Sequence, residues 1–141
     1  MKFTNTLESD IEQLTEWIAV DPYHKDFLSP RWWLTGAEYA LTCFCAQDET
    51  GPVIYVRLDK ENDLLRFHAQ FGPESEVSKS RVAKAIIKGI PVLEQYAKAE
   101  KLKGLVYKST SETLIQFLQI SFGFTPTGAN DDYFMPFKQE G

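Results

Sequence analysis

Four consecutive residues, Ser78, Lys79, Ser80 and Arg81, stand where a strand-like stretch ending in Phe71-Gly72-Pro73 gives way to a helical pattern. Hydroxyls, an ammonium and a guanidinium at such a junction suit an anion. The first turn of a helix leaves backbone N–H groups unpaired along its axis, and the macrodipole adds partial positive charge, so a phosphate placed there meets donors already aimed at it. Arg could add a bidentate contact and Lys a point charge. The competing use of the same residues is a solvated first turn capped by its serines. A second candidate is His68, which shares a strand face with Arg66 and Gln70 and whose ordinary pKa suits a general base. The plainer reading is a hydrogen-bonded histidine on a polar face. Cys43 and Cys45, two apart in an extended segment, lie on one face, a poor arrangement for bridging each other, and read as small buried hydrophobes. With only His24 and His68 to add, at no ligand spacing, no metal site is expected.

The elements that must position these residues follow from hydrophobic period and capping chemistry. Residues 2–6 predict an edge strand, and Ser9 with Glu12 predicts a capping box for a helix on Ile11, Leu14, Trp17 and Ile18 that ends before Asp21-Pro22. Residues 23–34 are rich in aromatics without a clean period, a short helix or a structured loop. Residues 39–46, 53–58 and 65–71 predict three antiparallel strands joined by polar turns. From Val82 the spacing becomes helical through Ile86, Ile90, Leu93 and Ala97. Pro91 removes a backbone hydrogen bond there, which predicts a kink or split near Gly89-Ile90, and Gly104 is expected to follow the helix end. Residues 105–107 predict a short buried strand, and Ser109 with Glu112 a second capping box. Leu114, Phe117, Leu118 and Phe122 then fill a helix stopped by Gly123, and Phe124 and residues 133–135 begin the last two strands.

The chain of 141 residues has no repeat, charge block or Pro/Gly/Ser-rich divider, so residues 1–141 are expected to form a single domain. A net charge of −5 argues against general affinity for nucleic acid or an anionic membrane, and favours cationic or amine-bearing partners. Glu8, Asp10, Glu12 and Glu16 are incompatible with the apolar segment of a secretory signal, and no run reaches membrane-spanning length, which points to the cytoplasm.

The element order, the helix opening at Ser9-Asp10-Ile11, the helix closing in Phe122-Gly123-Phe124, and the central strand leading through Phe71-Gly72-Pro73 into a long helix together resemble the GCN5-related N-acetyltransferase (GNAT) superfamily. The resemblance covers nearly the whole chain. It implies an α+β fold, a mixed and mostly antiparallel sheet flanked by helices, and transfer of an acyl group from acetyl-CoA or another acyl-CoA to an amine by direct attack. The acceptor would be a small molecule or a protein, and a homodimer is left open. By the same resemblance Ser78, Arg81 and Ala83, with Lys79 and Ser80, occupy the pyrophosphate loop. The backbone around Gln70 and Phe71 would meet the cofactor arm and the thioester oxygen, and His68 or an ordered water would serve as base. Tyr23, His24, Trp32 and Trp33 would line the acceptor site, core packing being the competing account for the tryptophans. The sequence departs from the family in two places. Only Ala83 matches the glycine-rich pattern, and Gln119, which has no proton to give, stands where many members carry a Tyr acid. The alternative reading is a catalytically inactive GNAT-fold protein acting as a binding or assembly module.

Overall fold

The computed structural model describes residues 1–26 and 29–138 of the chain. Strands form where β-branched and aromatic residues alternate with polar ones: β1 (Lys2–Asn5), β2 (Thr42–Asp48), β3 (Gly51–Glu61), β4 (Leu64–Phe71), β5 (Gly104–Lys108), β6 (Thr125–Pro126) and β7 (Asp132–Pro136). Where apolar residues recur every three or four positions the chain is helical, in α1 (Ile11–Ala19), α2 (Lys79–Ala99) and α3 (Glu112–Phe122). The aromatic segment contains a short 3-10 turn, Pro30–Trp33, and part of it, Phe27 and Leu28, lies outside the described residues. The strands make one sheet in the order β1-β2-β3-β4-β5-β7-β6, antiparallel throughout except between β4 and β5.

Register sorts the side chains into two faces, since directly opposed residues share a face. Tyr55 opposes Gln70, and on that face Trp17 of α1 packs edge-on against Tyr55, with Leu14 and Ile18 buried beside it. Phe3 opposes Ala46, which opposes Ile54, which opposes Phe71, and this row lies under α2. A Cβ built on Gly89 of α2 would come within 3.8 Å of the Phe3 ring. Ala85, Ile90, Leu93 and Ala97 are the residues that α2 buries. Cys43 and Cys45 are buried and unbridged, on one face as expected.

Several local expectations are corrected. Ser9 does not cap: a 3-10 turn, Glu8–Asp10, precedes α1, and Asp10 accepts from the Leu7 amide at 2.9 Å. Ser111, rather than Ser109, caps α3 by accepting from the Leu114 amide, while the Ser109 hydroxyl accepts from the Ser111 amide at 3.0 Å. No split occurs at Gly89-Ile90, because packing on the sheet carries α2 as one helix past Pro91. Gly104 does not end that helix. It opens β5 so close to β7 that an added Cβ would stand 2.7 Å from the Met135 carbonyl oxygen, and the left-handed residue after α2 is Lys101. Gly123 does close α3 in the left-handed region, at φ 79°.

Candidate active site

β4 and β5 are parallel neighbours over two residue pairs only, Leu65 with Leu105 and Arg66 with Val106. Both strands continue beyond these pairs without meeting, so the sheet opens into a V. The Gly72 amide donates to the Val53 carbonyl. By the alternation of an antiparallel ladder, the backbones of His68 and Gln70 therefore face β3, and those of Ala69 and Phe71, beyond the last pair with β5, face the opening. Phe71, not Gln70, thus offers its backbone there. A cavity of about 350 Å³ runs through the opening. A second, of about 460 Å³, lies between the start of α2 and α3. They meet at Phe71, Ile86, Ser111 and Leu114.

The side chain of Gln70 is fully buried and organises one wall. Its amide nitrogen donates to Asp21 Oδ2 at 2.9 Å and to the Phe71 carbonyl at 3.0 Å, which leaves Oε1 to face His24 Nδ1 at 2.7 Å. Two acceptors fix the orientation of the amide, so Oε1 must accept and the His24 proton sits on Nδ1. Asp21 Oδ2 stands 3.3 Å from the same nitrogen. Nε2 then has no partner among the described residues, on a side chain that lines the first cavity. Burial alone would lower the His24 pKa, but the hydrogen bonds to Asp21 and Gln70 and the Asp21 charge outweigh it, and the net shift is upward. For Asp21 burial acts upward and is outweighed by hydrogen bonds from His24, the Tyr23 amide and Gln70, so its pKa is lowered. An oriented imidazole with one open ring nitrogen is the arrangement of a general base.

His68 is differently placed. Its Nε2 lies 3.1 Å from Asp59, whose carboxylate also accepts from Arg57, and the Trp32 ring packs edge-on at 4.8 Å. Burial first, then Arg66 and Arg57, outweigh Asp59 and push its pKa down to about 4. It lines the first cavity as a weak base in a structural network. Trp32 serves that network too, with the Arg57 guanidinium 4.1 Å from its ring centroid. Trp33 is fully buried in the core, tilted against His24 at 5.6 Å, whereas Tyr23 is exposed at the cavity rim.

At the start of α2, Ser78 uses its hydroxyl as the N-cap, accepting from the Arg81 amide at 3.2 Å. The amides of Lys79 and Ser80 have no partner among the described residues. Lys79 makes only an exposed pair with Glu74 at 3.4 Å, a contact worth little, so its ammonium can turn to a ligand. Ser80 is exposed, and Ala83 lines the second cavity. Arg81 points away: its guanidinium makes a bidentate pair with Asp48 at 2.7 and 2.8 Å and lines neither cavity. That pairing holds the Asp48 carboxyl down to about 2. The helix start therefore keeps two free amides and an ammonium able to turn, a donor set that fits an anion, with Glu74 the acidic residue among those lining the second cavity.

Sequence reasoning missed Tyr107. It is 2% exposed, lines the first cavity from β5, and its hydroxyl is buried without a hydrogen-bond partner among the described residues. Burial first, then Tyr133, pushes its pKa up to about 12, so it remains a donor. Asp21 was missed as well, although its place three residues before His24, across a turn in which it accepts from the Tyr23 amide at 2.8 Å, was a usable signal.

No protein-family model matches the sequence, and no curated relative does. Solved structures do. An aminoglycoside acetyltransferase in complex with coenzyme A superposes with a TM-score of 0.71 at 13% identity, over 96% of this chain and 95% of that one. A probable acetyltransferase from Staphylococcus epidermidis gives 0.68 at 14% identity, over 97% and 99%. A GNAT family acetyltransferase from Brucella melitensis in complex with acetyl-CoA gives 0.60 at 9% identity, over 98% and 88%. The chain has the GNAT fold, as the order of its elements implied. At these identities the likeness is one of architecture, and activity rests on the site.

Proposed function

We propose that this protein is an acyl-CoA-dependent N-acyltransferase acting on an amine-bearing acceptor. The observation that carries the reading is the opening between β4 and β5, where two cavities meet beside backbone groups that no strand partners. A bound acyl-CoA would supply a thioester carbonyl as acyl donor. The Lys79 ammonium and the amides of Lys79 and Ser80 would hold its phosphates, and Ala83 would allow close approach along the second cavity. His24 Nε2 would take the proton of the acceptor amine, with Asp21 and Gln70 orienting the ring and stabilising its charged form. Backbone amides of the β4 residues facing the opening are donors at hand for the oxygen that gathers charge, and the Tyr107 hydroxyl is a further one. Neighbours of the same fold bind coenzyme A or acetyl-CoA, and one is bound to kanamycin, an observation that supports a small-molecule acceptor.

Thermal melting with acetyl-CoA tests the reading. At a hundred times its Kd a ligand adds about 2.7 kcal/mol, a rise of roughly 5–10 °C for a chain of this size. Arg81→Glu should lower the starting melting point yet keep the rise, because that guanidinium is held by Asp48. No rise at millimolar concentration with any acyl-CoA would remove the enzyme reading and leave the binding or assembly module.

A further inference from the structure

The first cavity, of about 350 Å³, extends past the opening where the thioester and the acceptor amine would meet. The extension has a direction. From the opening the cavity runs beneath α2 across the sheet, over the row Phe71, Ile54, Ala46 and Phe3, beside a parallel row of Ala69, Val56 and Phe44. No charged side chain belongs to either row. Small residues make the room: Ala46 and Ala69 in the floor, Ala85 and Gly89 in the roof. The titratable residues of the cavity, Asp21, Tyr23, His24, His68, Tyr107 and Lys108, lie at the opening or on the other face of the sheet.

We propose that this apolar channel is an acyl-chain subsite and that the donor carries a medium-length chain rather than acetyl. The inference rests on the acyl-transfer reading of the same opening. It commits to the donor for a physical reason. An ammonium-bearing acceptor moved under α2 would lose its hydration with no partner to replace it, whereas Asp21 and His24 receive it at the mouth. The hydrocarbon attached to the carbonyl is the one part of either reactant that is both apolar and tethered at the opening. From β4 to β1 is three strand spacings, about 14 Å at roughly 4.8 Å each. An extended chain advances roughly 1.2 Å per bond, so about twelve carbons reach the Phe3 wall.

Titration calorimetry with acetyl-, butanoyl-, hexanoyl-, octanoyl- and hexadecanoyl-CoA tests this. Each methylene buried in the channel should tighten binding by up to about fourfold, the equivalent of about 0.8 kcal/mol, so octanoyl-CoA should bind at least tenfold tighter than acetyl-CoA and hexadecanoyl-CoA should gain no more than about four further methylenes supply. In Gly89→Leu the octanoyl-to-acetyl affinity ratio should fall at least tenfold. Gly89→Ala, whose added carbon meets only the Phe3 ring at 3.8 Å, should keep it. Methyl resonances of Ile54 and Ile90 should move with octanoyl-CoA and stay with acetyl-CoA. Equal affinity across the series, with acetyl-CoA bound, would overturn the channel and leave acyl transfer standing. Shifts of those methyls by a free apolar amine, with no dependence on acyl length, would assign the channel to the acceptor. No binding of any thioester would remove both readings.

Discussion

Tyr107→Phe deletes one oxygen from the folded chain, and its effects should have opposite signs in the free and liganded protein. The hydroxyl is buried and has no partner among the described residues, and an orphaned polar group costs about 1–3 kcal/mol. The ring keeps its neighbours, Phe67 at 5.4 Å, Phe124 at 5.2 Å and Tyr133 stacked at 5.5 Å, so packing changes little. Removing the oxygen should therefore stabilise the free protein by about 1 kcal/mol, a rise of about 3–5 °C in melting temperature at this size. The same variant should bind its thioester more weakly, by about fivefold for one lost hydrogen bond of about 1 kcal/mol. Urea unfolding gives the first quantity and calorimetry the second. A less stable variant would mean that the hydroxyl has a partner in the free protein, such as a buried water. Unchanged affinity would mean that no ligand group reaches it.

Two further predictions concern His24 and Gly104. The His24 pKa is raised, so its contribution to stability is complete below the unfolded value of 6.5 and is lost as pH rises through the folded value. Catalysis needs the unprotonated ring, so kcat/KM should climb over that same range. His24→Gln should abolish the climb, and an unaltered profile would exonerate the residue, while an NMR titration of the ring checks the shift directly. Gly104→Ala should cost about 1–3 kcal/mol in urea unfolding, since its methyl would meet backbone of Met135 and Pro136 that cannot withdraw. A neutral result would show that β5 and β7 can separate.

Much of the fold was legible because its signals are local. The alternation in β4, the Phe122-Gly123 stop and the polar turns between strands act within a few residues, and the antiparallel run of β2, β3 and β4 followed from short connections. Serine capping was misassigned because each serine has a competitor close by, Asp10 next to Ser9 and Ser111 two residues from Ser109, and backbone geometry decides between them. The α2 break at Pro91 was overridden by packing on the sheet. The site was less legible than the fold. His24 meets Gln70 across 46 residues and Arg81 meets Asp48 across 33, and no periodicity links such positions. Tyr107 reads as an ordinary strand aromatic until its hydroxyl is found without a partner.

The segment between β4 and α2 is tied down from below. Trp17 Nε1 donates to Glu76 at 2.9 Å, Arg81 donates to the Glu76 carbonyl at 3.4 Å and holds Asp48, and Gly72 is the one residue small enough to pass Val77 and Trp17. A glycine-rich turn stays supple in the free protein and stiffens only around its anion. This one gives up its freedom when the chain folds, so under the proposed reading a phosphate would not have to order it. Rigidity can thus stand in for glycine, in exchange for tolerance: a phosphate group displaced by an ångström finds no backbone willing to follow it.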